Sequence, residues 1–471
     1  MHSRKIIFDI TNLVGFLVCN NHYTGIQRVV VMILDEFIKL KIKNVWICFF
    51  HPSSNQYLAL ELDSVNFNNW SDPSKVKEFL RTFGIIGSNR LLDKYKKNII
   101  KYYFHRLRFD FAALMHNDKM FVRKGLSIVE WKKTRERIKE STQLKILADI
   151  VESEDQVILL DATWKQDYIE EYKRMKSKGV KIYTLVHDLI PVLYPKITVP
   201  GVSPVFYSWL IQSISYTTCY LTNSANTKKD LFNFLQTYTH NCEARIETIP
   251  LVQINLPTNK SIDLYKKENS LNLPDLLSSI NNAAQSCKNI LCEPFVLHVG
   301  TIEVRKNTWR LVLAWKKLLD QGYYDLPRLV IVGKLGWLND HFWDLMRGTG
   351  NLYGYVTTIS DISDADLDLL YKNCLFSAMV SMYEGWGLPI GETLSYGKTA
   401  VVANNSSLPE VGMDLVEYCD ALSVSSIAAS VKKLVFEPNY RETLEAKIKQ
   451  TKLRNWSDVA YDLENILKTQ L

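Results

Sequence analysis

Glu384 and Glu392 bracket a stretch with glycine at 385, 387 and 391 and proline at 389. Glycine permits tight turns and close backbone approach, whereas Pro389 suits the first turn of a helix. We therefore predict Glu384 on a loop after a buried strand at 375–381, and Glu392 in the first turn of a short helix. Unpaired N–H groups at a helix N-terminus favour an anion. The stretch predicts a ligand site with two carboxylates beside an anion-binding helix end.

Two adjacent cations, Arg305 and Lys306, follow a predicted strand at 294–299 and its closing Gly300. Asn307 is a good N-cap for the helix expected next, so the cations would lie at the carboxyl edge of a sheet beside a helix N-terminus. A guanidinium and an ammonium group at such a place suit a diphosphate. A solvated Arg-Lys pair is the alternative for this dipeptide taken alone.

Further strands are predicted in the second half of the chain at 328–332, 351–355 and 399–403, with helices between them. Gly333 and Lys334 follow the first of these strands and repeat, more weakly, the pattern of a glycine and a cation at a strand end. The final segment, 456–468, has apolar residues at helical spacing and is predicted to be a closing helix.

The first half also alternates strands and helices, and two of its strand ends carry candidate residues. Gly25 lies where the polar turn 20–28 opens onto a helix, which is an ordinary connection or a ligand contact at the sheet edge. His187 follows a strand at 180–186 and is predicted to face a crevice. A structural histidine with satisfied hydrogen bonds is the alternative there.

Residues 85–145 interrupt this alternation with a basic, aromatic, helical insertion. The segment 90–108 holds seven cations against one acid, Asp93, interleaved with tyrosine, phenylalanine and leucine. A solvated helix face and a contact with an anionic membrane surface remain as alternatives. Nucleic-acid binding is disfavoured, because no nucleic-acid-binding module surrounds the patch.

Composition sets the outer bounds. The chain has 471 residues, 47 % hydrophobic and 23 % charged, and a net charge of +7, which are values for a globular protein of two domains. No signal peptide or bilayer-spanning apolar run is evident, and the eight cysteines show no zinc spacing. We expect a cytoplasmic protein with reduced thiols.

Taken together, the second-half motifs resemble the retaining glycosyltransferases of family 4. The resemblance rests on Val299-Gly300-Thr301 through Arg305-Lys306-Asn307, Val332-Gly333-Lys334, Gly354-Tyr355-Val356, the 384–392 stretch and Ser407-Leu408-Pro409-Glu410-Val411. The first half resembles the family more loosely, at 24–28 and 186–191. Thr24 stands where the family often has a glycine, and residues 40–155 have no counterpart.

The resemblance implies the GT-B architecture: two Rossmann-like domains facing across a cleft, with the last helix crossing back to the first domain. The predicted domain limits are an acceptor-side domain at 1–255, a linker at 256–293, a nucleotide-sugar domain at 294–455 and the closing helix at 456–471.

The resemblance also implies roles for individual residues. Arg305 and Lys306 would hold the donor diphosphate, Glu384 the transferred sugar, and Glu392 the ribose. Backbone at Tyr355 and Val356 would meet the base, and His187 and Gly25 would reach in from the acceptor side. The remaining donor-binding positions are Gly300, Gly333, Lys334, Gly385, Trp386, Gly387 and Leu388.

The function implied is transfer of a hexose from a nucleotide sugar to a glycan or lipid-linked glycan during O-antigen or capsule synthesis, with GDP-mannose as the first donor to consider. A UDP-hexose donor and a catalytically silent GT-B subunit are the alternatives. A nicotinamide oxidoreductase is disfavoured, because no G-x-G-x-x-G follows the first strand. We expect no metal: Asp364, Asp366 and Asp368 start a helix, where acids usually face water.

Overall fold

The computed structural model describes residues 4–51, 55–65, 67–83, 85, 99–122, 128, 131, 143–165, 168–238, 244–254, 284–360 and 362–469. The chain divides into two compact units, Met1–Thr184 and Leu185–Leu471. Most of the predicted linker, namely residues 256–283, lies outside the described residues, so the domain limits given above stay a prediction.

The strands of the first unit are β1 (Ile6–Asp9), β2 (Val45–His51), β3 (Gln56–Glu61), β4 (Lys145–Ile146), β5 (Gln156–Leu159) and β6 (Lys181–Val186), the last of which runs into the second unit. They follow the order β4-β3-β2-β1-β5-β6. β1 pairs in parallel with β2 and β5, and β5 with β6, whereas β3 is antiparallel to β2 and β4. A mainly parallel sheet with antiparallel edge strands results.

The helices of the first unit are α1 (Thr11–Cys19), α2 (Gly25–Lys39), α3 (Pro73–Thr82), α4 (Ile99–Leu114), α5 (Asp118–Val122), α6 (Leu147–Ile150) and α7 (Ile169–Ser177). Helix α1 was not predicted. The Asp9 carboxylate accepts from the backbone N–H and the hydroxyl of Thr11, at 2.8 and 2.6 Å, and the chain turns into a helix there. Leu13, Val14 and Leu17 bury one side of α1.

The strands of the second unit are β7 (Cys219–Thr222), β8 (Arg245–Thr248), β9 (Phe295–Val299), β10 (Arg328–Val332), β11 (Val356–Ile359), β12 (Ser377–Met379), β13 (Ala400–Ala403) and β14 (Glu417–Cys419). β7 and β8 pair in parallel. The others form a wholly parallel sheet in the order β11-β10-β9-β12-β13-β14. Such a sheet is covered by helices on both faces and binds ligands at the carboxyl ends of its strands.

The helices of the second unit are α8 (Ile190–Leu193), α9 (Val202–Ser213), α10 (Ala225–Tyr238), α11 (Gln285–Ile290), α12 (Thr308–Asp320), α13 (Asp340–Gly348), α14 (Asp364–Asn373), α15 (Leu388–Ser395), α16 (Leu408–Gly412), α17 (Val424–Phe436), α18 (Pro438–Gln450) and α19 (Trp456–Lys468). Trp315 of α12 is fully buried among side chains of the parallel sheet and α17. The predicted closing helix is confirmed as α19, which begins with a capping box of Asn455 and Asp458.

The predicted strand at 351–355 is wrong. Residues 350–354 all have positive φ, from 52° to 86°, and form a left-handed turn between Gly350 and Gly354. The strand follows that turn, at β11. Glycine tolerates this conformation at both ends, and the β-like composition of the residues between them did not reveal it.

The structure bears on two further predictions, the helical insertion and the absence of a membrane-spanning helix. The basic insertion is described at 99–122, where α4 is helical as expected, whereas 90–98 lies outside the described residues. None of the helices that the structure describes is both long and apolar enough to span a bilayer.

Candidate functional site

The predicted cations and the first predicted carboxylate form one buried cluster. Glu384 Oε1 lies 2.6 Å from Lys306 Nζ, and its Oε2 lies 2.7 Å from an Arg305 guanidinium nitrogen. Arg305 also donates to the Tyr383 carbonyl at 2.9 Å and pairs with the Glu303 carboxylate at 2.7 Å. The structure therefore brings the adjacent residues Arg305 and Lys306 together with Glu384, which is far from them in sequence.

Burial and charge compete at this cluster. Burial alone would raise the pKa of Glu384, but the two cations lower it to about 2. Burial raises the pKa of Asp188 and of Glu303, against the opposing effect of Arg305. Glu384 is therefore an anion at neutral pH and pairs with two cations in a site largely closed to water.

The loop that carries Glu384 is held from both sides. Ser407 Oγ donates to the carbonyl oxygens of Glu384 and Trp386, at 2.9 Å each. Trp386 is buried, and its indole N–H donates to the Val252 carbonyl at 2.9 Å. Gly387 has a φ of 116°, a left-handed conformation that favours glycine. The chain then enters α15 at Leu388, with Pro389 in the first turn as predicted.

The backbone carbonyl of His187 lies against this loop at Gly385. A Cβ added to Gly385 would lie 2.2 Å from the His187 carbonyl oxygen. The loop can approach His187 this closely only because residue 385 has no side chain. His187 is buried and directly precedes Asp188, whose side chain the sequence analysis did not single out.

Gly300 and Gly333 also lie close together, at the carboxyl ends of β9 and β10. A Cβ on Gly333 would be 1.9 Å from the Gly300 carbonyl oxygen, and one on Gly300 would be 3.5 Å from Cε of Lys306. Lys334 is exposed, and its carbonyl accepts from Ile302 N–H at 2.9 Å. The two glycines therefore allow the ends of β9 and β10 to lie close together beside Lys306.

Asn307 occupies the N-cap position of α12, but its side chain does not cap the helix. Its φ is 61°, and its amide donates to the carbonyls of Val380 and Ala421 at 2.9 and 2.7 Å. The predicted cap is therefore wrong, because these two buried carbonyls take the amide instead. Asn307 ties the cation-bearing turn to the strand that precedes Glu384.

Glu392 is partly buried and lies in the second turn of α15, so its predicted place in the first turn is wrong, because the helix already begins at Leu388. Its hydrogen-bond partner was not predicted. The buried Tyr371 hydroxyl donates to Glu392 Oε2 at 2.7 Å. The Tyr371 ring stacks on Tyr396, with centroids 5.3 Å apart and planes 9° apart. No local pattern in the sequence pairs these two tyrosines, because they lie 25 positions apart.

The remaining predicted residues are Tyr355, Val356 and Gly25. Tyr355 and Val356 lie at the amino end of β11, whereas the carboxyl end of that strand, at Ile359, accepts a hydrogen bond from Gly333 N–H at 2.9 Å. Gly25 is the first residue of α2 in the first unit. The predicted roles of Tyr355, Val356 and Gly25 therefore stay predictions.

A second carboxylate, Glu410, joins the motif at 407–411 to α10. It accepts from the backbone N–H groups of Ala225 and Asn226, at 2.7 and 2.9 Å. Asn226 also donates to the Tyr383 hydroxyl at 2.7 Å, next to Glu384 in the chain. Glu410 therefore satisfies the free N–H groups at the amino end of α10 and braces the Glu384 loop.

The acidic start of α14 is engaged by protein groups. Asp366 is buried and accepts from the Ser363 hydroxyl at 2.7 Å and the Ala284 N–H at 3.1 Å. Asp368 pairs with Lys372 at 2.6 Å and accepts from Tyr396 at 2.5 Å. In the residues that the structure describes, no three potential metal ligands cluster.

Comparisons with known proteins find a family match within the second unit. Residues 285–451 match the family model "Glycosyl transferases group 1". The chain is 33 % identical over 176 residues to O-antigen chain mannosyltransferase B of Escherichia coli, covering 37 % of this chain and 45 % of the relative. It is 24 % identical over 285 residues to the serotype-specific mannosyltransferase WbdA of E. coli, covering 60 % of this chain and 33 % of the relative. The chain thus spans less than half the length of either relative.

Solved structures show the same fold along the whole chain. Anabaena Alr3699/HepE, in complex with UDP and glucose, has a TM-score of 0.56 at 12 % identity and covers 99 % of this chain and 100 % of its own. A glycosyltransferase from Rickettsia africae has a TM-score of 0.53 at 14 % identity, covering 100 % and 99 %. The predicted fold class is confirmed. The chain has the GT-B fold, its residues 285–451 match the group 1 glycosyl transferase family model, and part of the chain is similar to bacterial O-antigen mannosyltransferases.

Proposed function

We propose that this chain is a retaining, metal-independent hexosyltransferase that transfers a sugar from a nucleotide sugar to a glycan or lipid-linked glycan in polysaccharide biosynthesis. The observation that carries the proposal is the buried contact of two cations, Arg305 and Lys306, with one carboxylate, Glu384. It lies in a domain of the group 1 glycosyltransferase family. Two cations at the carboxyl ends of parallel strands suit a leaving diphosphate.

Each residue then has a separate task. Arg305 and Lys306 stabilise the negative charge that builds up on the diphosphate as the glycosidic bond breaks. Glu384 accepts hydrogen bonds from hydroxyl groups of the transferred sugar while it stays beside the two cations. Its pKa of about 2 keeps it a hydrogen-bond acceptor rather than an acid. Catalysis would come mainly from positioning and charge stabilisation at a site already ordered without ligand.

GDP-mannose is the proposed donor and mannose the transferred sugar, because the similar E. coli proteins are mannosyltransferases. A UDP-hexose is the competing donor, since the HepE structure contains UDP and glucose. A silent GT-B subunit would have no need for a buried pair of cations on one carboxylate, because burying such charges is costly.

Thermal unfolding of the purified chain with a panel of nucleotide sugars tests the proposal. We expect GDP-mannose to raise the unfolding temperature and to be hydrolysed slowly without acceptor. Lys306→Ala should lose both effects, whereas Lys316→Ala, which removes a partly exposed lysine paired with Asp320 at 2.6 Å, should keep them. A response to UDP-hexoses alone would favour the competing donor. Indifference to every donor would contradict the enzyme and favour the silent subunit.

A lipid-linked acceptor would place the reaction at a membrane. We place the enzyme in the cytoplasm, in peripheral contact with the inner face of the plasma membrane through residues 90–108, because lipid-linked glycans are held there. Support comes from the basic and aromatic composition of that segment, of which 99–108 belongs to α4.

A further inference from the structure

Helix α4 exposes a continuous apolar face. Its exposed large apolar residues recur at intervals of three, four and one, so they lie within an arc of about 120° around the helix axis. Leu107 is 67 % exposed and Phe111 65 %. The complete face consists of Tyr103, Phe104, Leu107, Phe111 and Leu114 with Met115 just beyond the helix. Single exposed apolar residues are ordinary on protein surfaces, but a contiguous stripe of six marks a contact surface.

The opposite side of α4 is buried and fixes how the helix is turned. Phe109, Ala112 and Ala113 pack in a small core with Phe121 and Trp131. The Trp131 indole N–H donates to the Asp110 carboxylate at 2.9 Å, which ties α4 to the segment that follows. The apolar face is therefore held outward by packing, and rotation of the helix would expose this core instead.

Cations border the apolar face along both edges. At about 100° per residue, Lys101 and Arg108 fall on one edge. On the other edge Arg106 lies beyond Asp110, whose carboxylate accepts from Trp131. Lys101 and Arg108 are exposed. An apolar stripe bordered by cations and containing aromatic residues is the pattern of a helix that lies in the interface of an anionic bilayer. Two copies of this face packed on each other would instead bring like charges together.

We propose that the face Tyr103–Met115 of α4 inserts into the headgroup region of an anionic membrane, with Lys101, Arg106 and Arg108 contacting lipid phosphates. The inference deepens the proposed peripheral membrane contact, since it moves the contact surface from the basic segment 90–108 to this outward face. The occupant is a lipid surface, and insertion of α4 requires neither a donor nor an acceptor.

Co-sedimentation of the full chain with vesicles tests this directly. Vesicles of phosphatidylglycerol and phosphatidylcholine should bind the protein at low salt, and vesicles of phosphatidylcholine alone should bind it less. Leu107→Gln with Phe111→Gln should weaken binding roughly tenfold or more, because two apolar side chains leave the interface. The matched control is Leu422→Gln with Phe232→Gln, since Leu422 is also 67 % exposed and Phe232 50 %. The control should bind as wild type does.

A second pair of substitutions separates the electrostatic part of membrane binding from the apolar part. Lys101→Gln with Arg108→Gln should reduce binding to the anionic vesicles roughly tenfold or more and make the remainder insensitive to salt. Circular dichroism would verify that each variant is folded. Wild-type binding by the Leu107–Phe111 variant would overturn the proposal. So would a wild-type dimer in light scattering that this variant converts to monomer, with no vesicle binding by either. Donor-dependent stabilisation should be equal in all variants, so a failure here is distinct from a failure of the proposed enzyme.

Discussion

Replacing the buried carboxylate by an amide, Glu384→Gln, should destabilise the fold in a way that depends on pH. The pKa of Glu384 falls from 4.5 to about 2 on folding. At about 1.4 kcal/mol for each pKa unit, the difference corresponds to about 3 kcal/mol of stability. Removing the charge also leaves Arg305 and Lys306 partly uncompensated in a buried site, which acts in the same direction.

The direction of the pH dependence follows from the lowered pKa of Glu384. A group whose pKa is depressed in the folded state contributes stability above its unfolded pKa, and that stability is lost as the pH falls through the folded pKa. The advantage of the wild type over Glu384→Gln should therefore be complete at pH 7. It should fall below pH 4.5, with about half remaining at pH 3.

Urea unfolding of both proteins at pH 7, 4 and 3 measures this difference. The control is Glu293→Gln, which removes the same charge from an exposed pair with Arg328 at 2.7 Å and should change the midpoint little. A loss at pH 7 no larger than that of the control, or a loss that stays constant down to pH 3, would refute the charge balance assigned to Glu384.

Three further substitutions probe the supports of the site. Gly385→Ala places a Cβ 2.2 Å from the His187 carbonyl oxygen, so we expect a loss of about 2 kcal/mol in urea unfolding and impaired transfer. Tyr371→Phe removes the donor to Glu392, so binding of GDP in calorimetry should weaken roughly tenfold while binding of a 2′,3′-dideoxy nucleotide stays the same. Glu410→Ala removes the partner of the N–H groups that begin α10, and should cost about 1 kcal/mol.

Matched controls exist for two of these variants. Gly15→Ala adds a Cβ where no atom lies within 4 Å, and it should leave the unfolding midpoint unchanged or raised. Tyr440→Phe removes an equivalent tyrosine-to-glutamate hydrogen bond, to Glu417 at 2.7 Å, and should not affect nucleotide binding. If these controls behave like Gly385→Ala and Tyr371→Phe, the effects are not specific to the site.

The elements of the second half were largely predictable because their signals are local. β10 and α19 have the predicted limits, and the glycine and proline punctuation of 384–392 correctly placed Glu384 on a loop and α15 after it. Each of these features depends on periodicity or on backbone restrictions of a few neighbouring residues. The adjacency of Arg305 and Lys306 to a strand end followed from the same local reasoning.

What the sequence did not reveal depends on contacts between distant segments. The charge on Glu384 is balanced by residues 78 and 79 positions away, and Glu410 meets the start of α10 across 184 and 185 positions. The left-handed turn before β11 is a conformational outlier that propensity does not encode. Asn307 failed as a cap because buried carbonyls of Val380 and Ala421 compete for its amide. Pairings of this kind are set by tertiary packing.

The most direct test of the central claim is transfer itself. The purified chain would be incubated with GDP-mannose and a lipid-linked or free mannose-containing acceptor, and the product would be analysed for chain extension and anomeric configuration. We predict an extended glycan with the donor's anomeric configuration from the wild type and from Lys316→Ala, and none from Lys306→Ala. Undiminished extension by Lys306→Ala, or a product of inverted configuration, would contradict the account.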